Sequence, residues 1–347
     1  MNPTIQKISP IIWEKIKNSS SLLINLHLSP DQDSLGSSLG LKSVLEKIGK
    51  KVTIVSSDPI GKETSETAKL MKGFDQIVFK DPSEVDMTQY DLFIILDSDA
   101  PNRISRNPEF KASLKIPTIV IDHHQSNPEF GDINLVIKDG FCTSELLYWL
   151  CKQGNVDIPK EAALDFFIGM VFDTGQFRYP GPTSSDSYRA AADLIDIGKI
   201  DFASLIWNSL SKKNGLIKAI GIGASRIEEY FGGKVLLTYL LENDLNACGM
   251  GPESMNTVYR VLSDFMSDSK ESSITALIYQ LPKDKWGISL RSNNSNDYKD
   301  VSLIAKKVPG GGGHMRAAGL SLNGEFNEVK TKVINLIRET FPEFGQP

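Results

Sequence analysis

Histidine is scarce in this chain: four residues in 347, at His27, His123, His124 and His314. Cysteine is scarcer, at Cys142, Cys151 and Cys248, with no CxxC pair. Three isolated thiols exclude a disulfide framework and a cysteine-rich zinc site. Cys142 and Cys151 fall in or beside an apolar helical pattern, so buried, reduced side chains are expected there. Positive charge is not in excess either. The 38 Lys and Arg stand against 43 Asp and Glu, a formal net charge of −5, which argues against a long basic track for duplex DNA. No apolar run approaches the length needed to span a bilayer, and the N-terminal "MNPTIQKISPIIWEKIKNSS" lacks a long apolar core. A soluble, cytoplasmic protein with no membrane partner is the expectation.

What is present is a run of buried strands. "SLLINL", "KVTIVS", "DQIVF", "YDLFIIL" and "IPTIVI" read as strands, the last two ending at Asp97 and Asp122. Near-continuous apolar runs suit strands covered on both faces, which points to a parallel sheet with helical crossovers. Leu41, Val44, Leu45 and Ile48 recur at helical spacing, closed by Gly49. "KETSETAKLMKG" is a weaker helix; "CTSELLYWLCKQG", "KEAALDFFIGMVF" and "SSDSYRAAADLIDIG" are further ones. The rhythm then changes. "KVLLTYL", "SITALIYQL", "KWGISLR" and "GLSLNG" read as strands, with helices around Glu253–Met266, Asp300–Val308 and Asn327–Phe341. Length alone favours two domains. The expected fold class is α/β: a parallel-sheet domain with helices on both faces over 1–198, a helical connector over 199–233, and a smaller mixed-sheet domain over 234–347, with a cleft between the domains.

The histidines locate the chemistry. In "HLSPDQDSLGSSLG", His27, Asp31 and Asp33 cluster directly after the first strand. Carboxylates this close repel one another and call for a cation, although a helix N-cap at Asp33 or Ser34 explains part of the pattern. Asp97 ends a second strand in "LDSDAPNRI"; Asp122, His123 and His124 end a third in "VIDHHQSN"; Asp173 ends a helical stretch. Ligands of open parallel sheets bind beyond the carboxyl ends of the strands, so these residues can converge. Six or seven oxygen and imidazole donors suit two metal ions rather than one, manganese first and magnesium or cobalt as substitutes. Two such ions form a clamp for in-line attack on phosphorus. Asp99 reads as a turn or capping residue, and Glu145 and Asp165 as solvated helix-face residues.

"HLSPDQDSLGS", "LDSDAPNRI", "DHH" and "FDTGQF", in this order, resemble the DHH phosphoesterase superfamily, and "GGGGHMRAAG" resembles the signature of its DHH-associated C-terminal domain. The resemblance runs from about residue 20 to 340. It implies His27 and Asp31 on a first metal, Asp33, His123 and Asp173 on a second, and Asp97 bridging both. Asp122 would orient an imidazole, and His124 would face the substrate and stabilise phosphate charge. Gly311, Gly312, Gly313 and His314 would hold substrate phosphate, a glycine run whose other reading is a flexible linker. Arg291 matches an arginine near that loop; Arg103 is either a phosphate contact or a surface residue; Met315 and Arg316 carry no implied role. The branch most resembled comprises stand-alone oligoribonucleases that degrade nanoRNA and dephosphorylate 3′-phosphoadenosine 5′-phosphate. Hydrolysis of linear or cyclic di-adenylate, RecJ-like digestion of single strands, and nucleotide binding without catalysis remain alternatives, and homodimerisation is open.

Overall fold

The computed structural model describes residues 2–61, 64, 67–110, 116–138, 140–177, 185–205, 213–283, 285–293, 298–313 and 315–345. The chain divides into two compact units, residues 1–210 and 211–347. Among the described residues, no helix is long and apolar enough to cross a membrane.

The first unit runs α1 (Pro3–Lys17), β1 (Ser21–Asn25), α2 (Gln32–Lys47), β2 (Lys51–Ser56), β3 (Val78–Phe79), β4 (Leu92–Leu96), β5 (Thr118–Asp122), β6 (Ile133–Val136), α3 (Thr143–Gln153), α4 (Lys160–Asp173) and α5 (Ser185–Gly198). Its strands form one parallel sheet in the order β3-β2-β1-β4-β5-β6. Side chains alternate across it as period two requires. Leu22, Ile24, Leu92, Ile94, Ile119 and Ile121 join the core under α2, α3 and α4. Leu23, Phe93, Ile95 and Val120 pack on the opposite face with Ile104 and the loops around Val85 and Phe110. The chain builds outward from β1 through β2 to β3, then returns to lay β4 on the other side of β1. That reversal opens a crevice at the carboxyl ends of β1 and β4.

Two elements escape the sequence pattern. Pro3 and Pro10 interrupt the α1 periodicity, yet Ile5, Ile12 and Ile16 still line up on one buried face. Strand β6 is four residues long and only Leu135 in it is fully buried. Glu145 and Asp165, expected in solvent, are both buried instead, because α3 and α4 are covered by neighbouring helices. Of "KETSETAKLMKG", part lies outside the described residues.

The second unit runs α6 (Asn214–Ser225), β7 (Glu228–Tyr230), β8 (Val235–Leu240), α7 (Glu242–Ala247), α8 (Met255–Ser267), β9 (Ile274–Leu281), β10 (Lys285–Ser292), α9 (Ser302–Ala305), β11 (Gly312–Gly313), β12 (Ala317–Asn323) and α10 (Phe326–Thr340). The sheet order is β11-β12-β10-β9-β8-β7, with β8 and β9 parallel and the other pairs antiparallel. Strand β7 replaces the helical pattern expected around residues 228–230. One face of the sheet packs with α9 and α10, the other with α6 and α8.

Candidate metal centre

The cluster is built at the strand reversal. His27 lies just beyond β1, and its Nδ1 meets the Leu28 carbonyl at 2.8 Å, which turns Nε2 toward Asp31 Oδ1 and Asp97 Oδ2, both at 3.5 Å. Asp31, rather than Asp33 or Ser34, is the N-cap of α2: its Oδ1 accepts the backbone N–H groups of Asp33 and Ser34 at 3.0 Å. Asp97 follows β4 with φ at 53°, a left-handed conformation that few residues other than glycine, Asn and Asp accept. Its Oδ1 is 3.4 Å from His123 Nε2 and accepts the Thr143 hydroxyl at 3.1 Å. His123 Nε2 also faces Asp173 Oδ2 at 3.7 Å, at the end of α4.

Asp33 is reached from a distant element. Its Oδ2 accepts Thr143 N–H at 2.7 Å, and its Oδ1 accepts Ser144 N–H at 3.0 Å and the Ser144 hydroxyl at 2.5 Å, all at the start of α3. Glycine makes this approach feasible. A Cβ at Gly169 would collide with Ser144 Oγ and Asp33 Oδ1, and one at Gly36 with the Asp165 carbonyl, so α2, α3 and α4 could not close around Asp33. Asp122 is fully buried and holds His124 Nδ1 at 2.7 Å while accepting Asn127 Nδ2 at 2.6 Å. The His124 ring is about one-third exposed and lies 4.7 Å from that of His123.

Donor atoms of His27, Asp31 and Asp97 lie within 4.8 Å of one another, as do those of Asp33, His123 and Asp173. The electrostatics fit a cation. Burial, and then the neighbouring Asp97 and Asp173, push the Asp33 carboxyl well above its ordinary range. Burial and Asp97 likewise raise Asp173 to about 7, although His123 pulls the other way. Burial works against a charged His123 ring, but Asp97 and Asp173 raise it to about 10. Asp97 itself is held well below the carboxylate range: the hydrogen bonds and charges of His123 and His27 outweigh its burial. Carboxylates forced together out of water, sharing what positive charge the imidazoles supply, form a set that divalent cations would relieve. The donors are oxygen and imidazole. The nearby Cys142 is a buried free thiol whose Sγ accepts Glu145 N–H, and burial pushes it well up, so it offers no ready thiolate.

Other expected residues fall outside this cluster. Arg103 has an exposed side chain; its carbonyl accepts Leu28 N–H at 2.6 Å and so braces the His27 loop. Asp99 accepts the Ser126 hydroxyl. Arg291, Gly311, Gly312 and Gly313 belong to the second unit, where Arg291, Gly312 and Gly313 line one cavity; His314 lies outside the described residues. Sequence reasoning missed Thr143, Ser144 and Asn127, which hold the carboxylates. It also missed Asp58, which accepts Ser29 N–H at 2.8 Å and two bonds from Arg106, at 2.9 and 2.8 Å.

Comparison with known proteins matches both units. A model of the DHH family N-terminal domain matches residues 21–170, and one of the DHHA1 domain matches residues 224–342. The chain carries a DHH-family N-terminal domain followed by a DHHA1 domain. It is 26% identical to the bifunctional oligoribonuclease and PAP phosphatase NrnA of Thermus thermophilus, covering 97% of each chain. It is 24% identical to a probable enzyme of the same name from Streptococcus mutans, covering 94% of this chain and 98% of that one. Among solved structures, an exopolyphosphatase-related protein of Bacteroides fragilis superposes with a TM-score of 0.83 at 23% identity, covering 98% of each chain, and shares the fold.

Proposed function

We propose that this chain is a manganese-dependent phosphoesterase that hydrolyses very short oligoribonucleotides to mononucleotides and 3′-phosphoadenosine 5′-phosphate to AMP. The observation that carries the reading is the convergence of two donor triads beside one buried carboxylate, Asp97, at the strand reversal. The matched relatives support the substrate class through near-complete coverage of both chains. Two divalent cations held by His27, Asp31 and Asp97 and by Asp33, His123, Asp173 and Asp97 would neutralise phosphate charge and supply a water nucleophile near neutral pH.

The chain's own groups do the rest. Asp122 accepts the Nδ1–H of His124, so that Nε2 would donate to a phosphoryl oxygen when the ring is protonated. Burial opposes the charged ring, but Asp122 and Asp97 raise His124 above its ordinary value. Thr143 and Ser144 keep Asp97 and Asp33 from rotating. Arg291 and Gly311–Gly313, with His314, take a substrate phosphate.

The test is a manganese-supported product time course with a labelled RNA dinucleotide, a five-nucleotide RNA, long single-stranded DNA, 3′-phosphoadenosine 5′-phosphate and cyclic di-adenylate. Preference for the dinucleotide or the bisphosphate is expected. Preference for long DNA or for the cyclic compound would replace this reading, and binding without turnover of any of them would leave a nucleotide-binding regulator.

A further inference from the structure

One peptide group sets the His27 ring. The carbonyl of Leu28 accepts His27 Nδ1 at 2.8 Å. The N–H of the same peptide bond, that of Ser29, donates to Asp58 Oδ2 at 2.8 Å. The two bonds grip opposite edges of one plane, because the peptide does not twist about its C–N bond. Ser29 has φ at 55°, the left-handed region that side chains other than Asn and Asp seldom enter. Turning the plane over would return Ser29 to negative φ, but it would swing the carbonyl off the imidazole and the N–H off the carboxylate. The backbone preference of Ser29 therefore works against the orientation that His27 needs, and Asp58 is the side chain that resists the flip.

Asp58, just past β2, is itself held. Arg106, from the loop after β4, grips it in bidentate fashion, Nε to Oδ1 at 2.9 Å and one Nη to Oδ2 at 2.8 Å. Arg106 is in turn fixed at its backbone. Asp81, just beyond β3, accepts the Arg106 N–H on Oδ2 at 2.7 Å and the Ser105 hydroxyl on Oδ1 at 2.6 Å. The same carboxylate accepts the hydroxyl of Ser57, next to Asp58, at 2.9 Å, and the N–H and hydroxyl of Ser83 at 2.9 and 2.6 Å. Burial opposes its charge, yet the hydroxyls of Ser105 and Ser83 and the N–H groups of Ser83 and Arg106 hold the Asp81 carboxyl well below its ordinary range, so the anchor is ionised near neutral pH. Two carboxylates and one guanidinium thus tie together the chain just past β1, β2, β3 and β4. None of the three belongs to the donor triads of the candidate metal centre.

We propose that Asp58, Arg106 and Asp81 are positioning residues of the metal centre: they lock the Leu28–Ser29 peptide in the orientation that aims His27 Nε2 at the first cation, a deepening that rests on the two-cation reading above. The Arg106 side chain is 65% exposed, and an exposed ion pair adds little to stability. Its loss is therefore felt at His27 more than in the melting temperature.

Two measurements on the full chain test it. The first is the nuclear magnetic resonance spectrum of metal-free protein carrying isotope-labelled histidine, in which a hydrogen-bonded Nδ1–H gives an exchange-protected proton signal. His27 toward Leu28 and His124 toward Asp122 supply two such protons, told apart by the signal missing from His27→Gln. In Asp58→Ala, Arg106→Ala and Asp81→Ala the His27 signal should vanish while that of His124 stays. Asp58→Asn, which keeps an oxygen for the Ser29 N–H, should restore it. The second is a titration with manganese alone, read by the paramagnetic resonance of the free ion. One of the two affinities should fall about tenfold in Asp58→Ala and Arg106→Ala, as loss of a group that orients a metal-bound imidazole does, with the Tm of Arg106→Ala close to that of the parent. The proposal is overturned if both variants keep the His27 signal, if the His124 signal is lost along with it, or if both variants bind manganese as the parent does. Failure of the parent to bind manganese would sink the two-cation reading alone, because the metal-free spectra decide the hold on His27 independently.

Discussion

Asp165 on α4 is fully buried, and neither of its carboxylate oxygens has a hydrogen-bond partner among the described residues. Burial, then the charge of Glu161 one turn earlier, push this carboxyl up to about 8; the nearby Lys72 offsets only part of the rise. An unfolded Asp ionises near pH 3.9. From about pH 4 to about pH 8, therefore, the folded chain keeps a proton that the unfolded chain has released. Stability falls as pH rises through that window, by about 1.4 kcal/mol per unit, and the accumulated cost at pH 7 is about 4 kcal/mol. Asp165→Asn keeps the side-chain shape and removes the ionisation. Any fixed cost of the buried amide is the same at every pH, and all other titrating groups are common to variant and parent. The stability difference, variant minus parent, should grow by about 2–3 kcal/mol from about pH 5.5 to about pH 7.5. For a unit of this size that is roughly 5–10 °C in Tm. Circular dichroism melts of both proteins in matched buffers read it directly. A difference that stays constant with pH would show that Asp165 does not hold a proton in the folded chain, and the argument from burial would fail.

Removal of the shared carboxylate in Asp97→Ala should lower turnover at least about a thousandfold while the melting curve shows a folded protein; retained activity would exclude a two-cation site. Stripping divalent cations with a chelator should lower the Tm of the parent, and manganese should restore it, since Asp33 and Asp173 are left facing Asp97 without relief. Asp58→Ala should cost about 1–3 kcal/mol, because Ser29 N–H loses its acceptor, and should weaken metal affinity by loosening the His27–Asp31 loop. The Arg106 hydrogen bonds hold the Asp58 carboxyl below its ordinary value, so this contribution is complete above about pH 4 and is lost as pH falls through the lowered value. Equal manganese affinity in Asp58→Ala and the parent would show that the loop does not depend on it. Gly36→Ala should destabilise the first unit by about 1–3 kcal/mol, measured by denaturant titration, as the added methyl meets the Asp165 carbonyl.

The strands and their terminal charges were legible because a parallel sheet writes itself as apolar runs, and a run broken by His or Asp marks the ligand-facing end. Asp97, Asp122 and His123 fall out of that reading directly. Thr143 and Ser144 do not. Their bonds to Asp33 cross 110 and 111 residues, and no local pattern records which helix N-terminus packs against which loop. The same limit hid Glu145, which accepts Ser187 Oγ at 2.8 Å from α5, because periodicity identifies a helix face without saying what covers it.

Asp31 bears on two sequence readings that were set against each other. A cap and a metal ligand looked like rival explanations for the acidic cluster after β1. In the structure one side chain fits both roles: Oδ1 accepts two N–H groups of α2 and lies 3.5 Å from His27 Nε2, while Oδ2 takes no part in the cap. The combination has a physical advantage. About half of the Asp31 side chain is exposed, and such a carboxylate would ordinarily spend entropy to become a ligand. Here the helix start has already fixed it, so the ordering cost falls on folding and not on metal binding. On the proposed two-cation reading, capping and ligation are the same device, and the position of α2 sets the position of the donors proposed for the first cation.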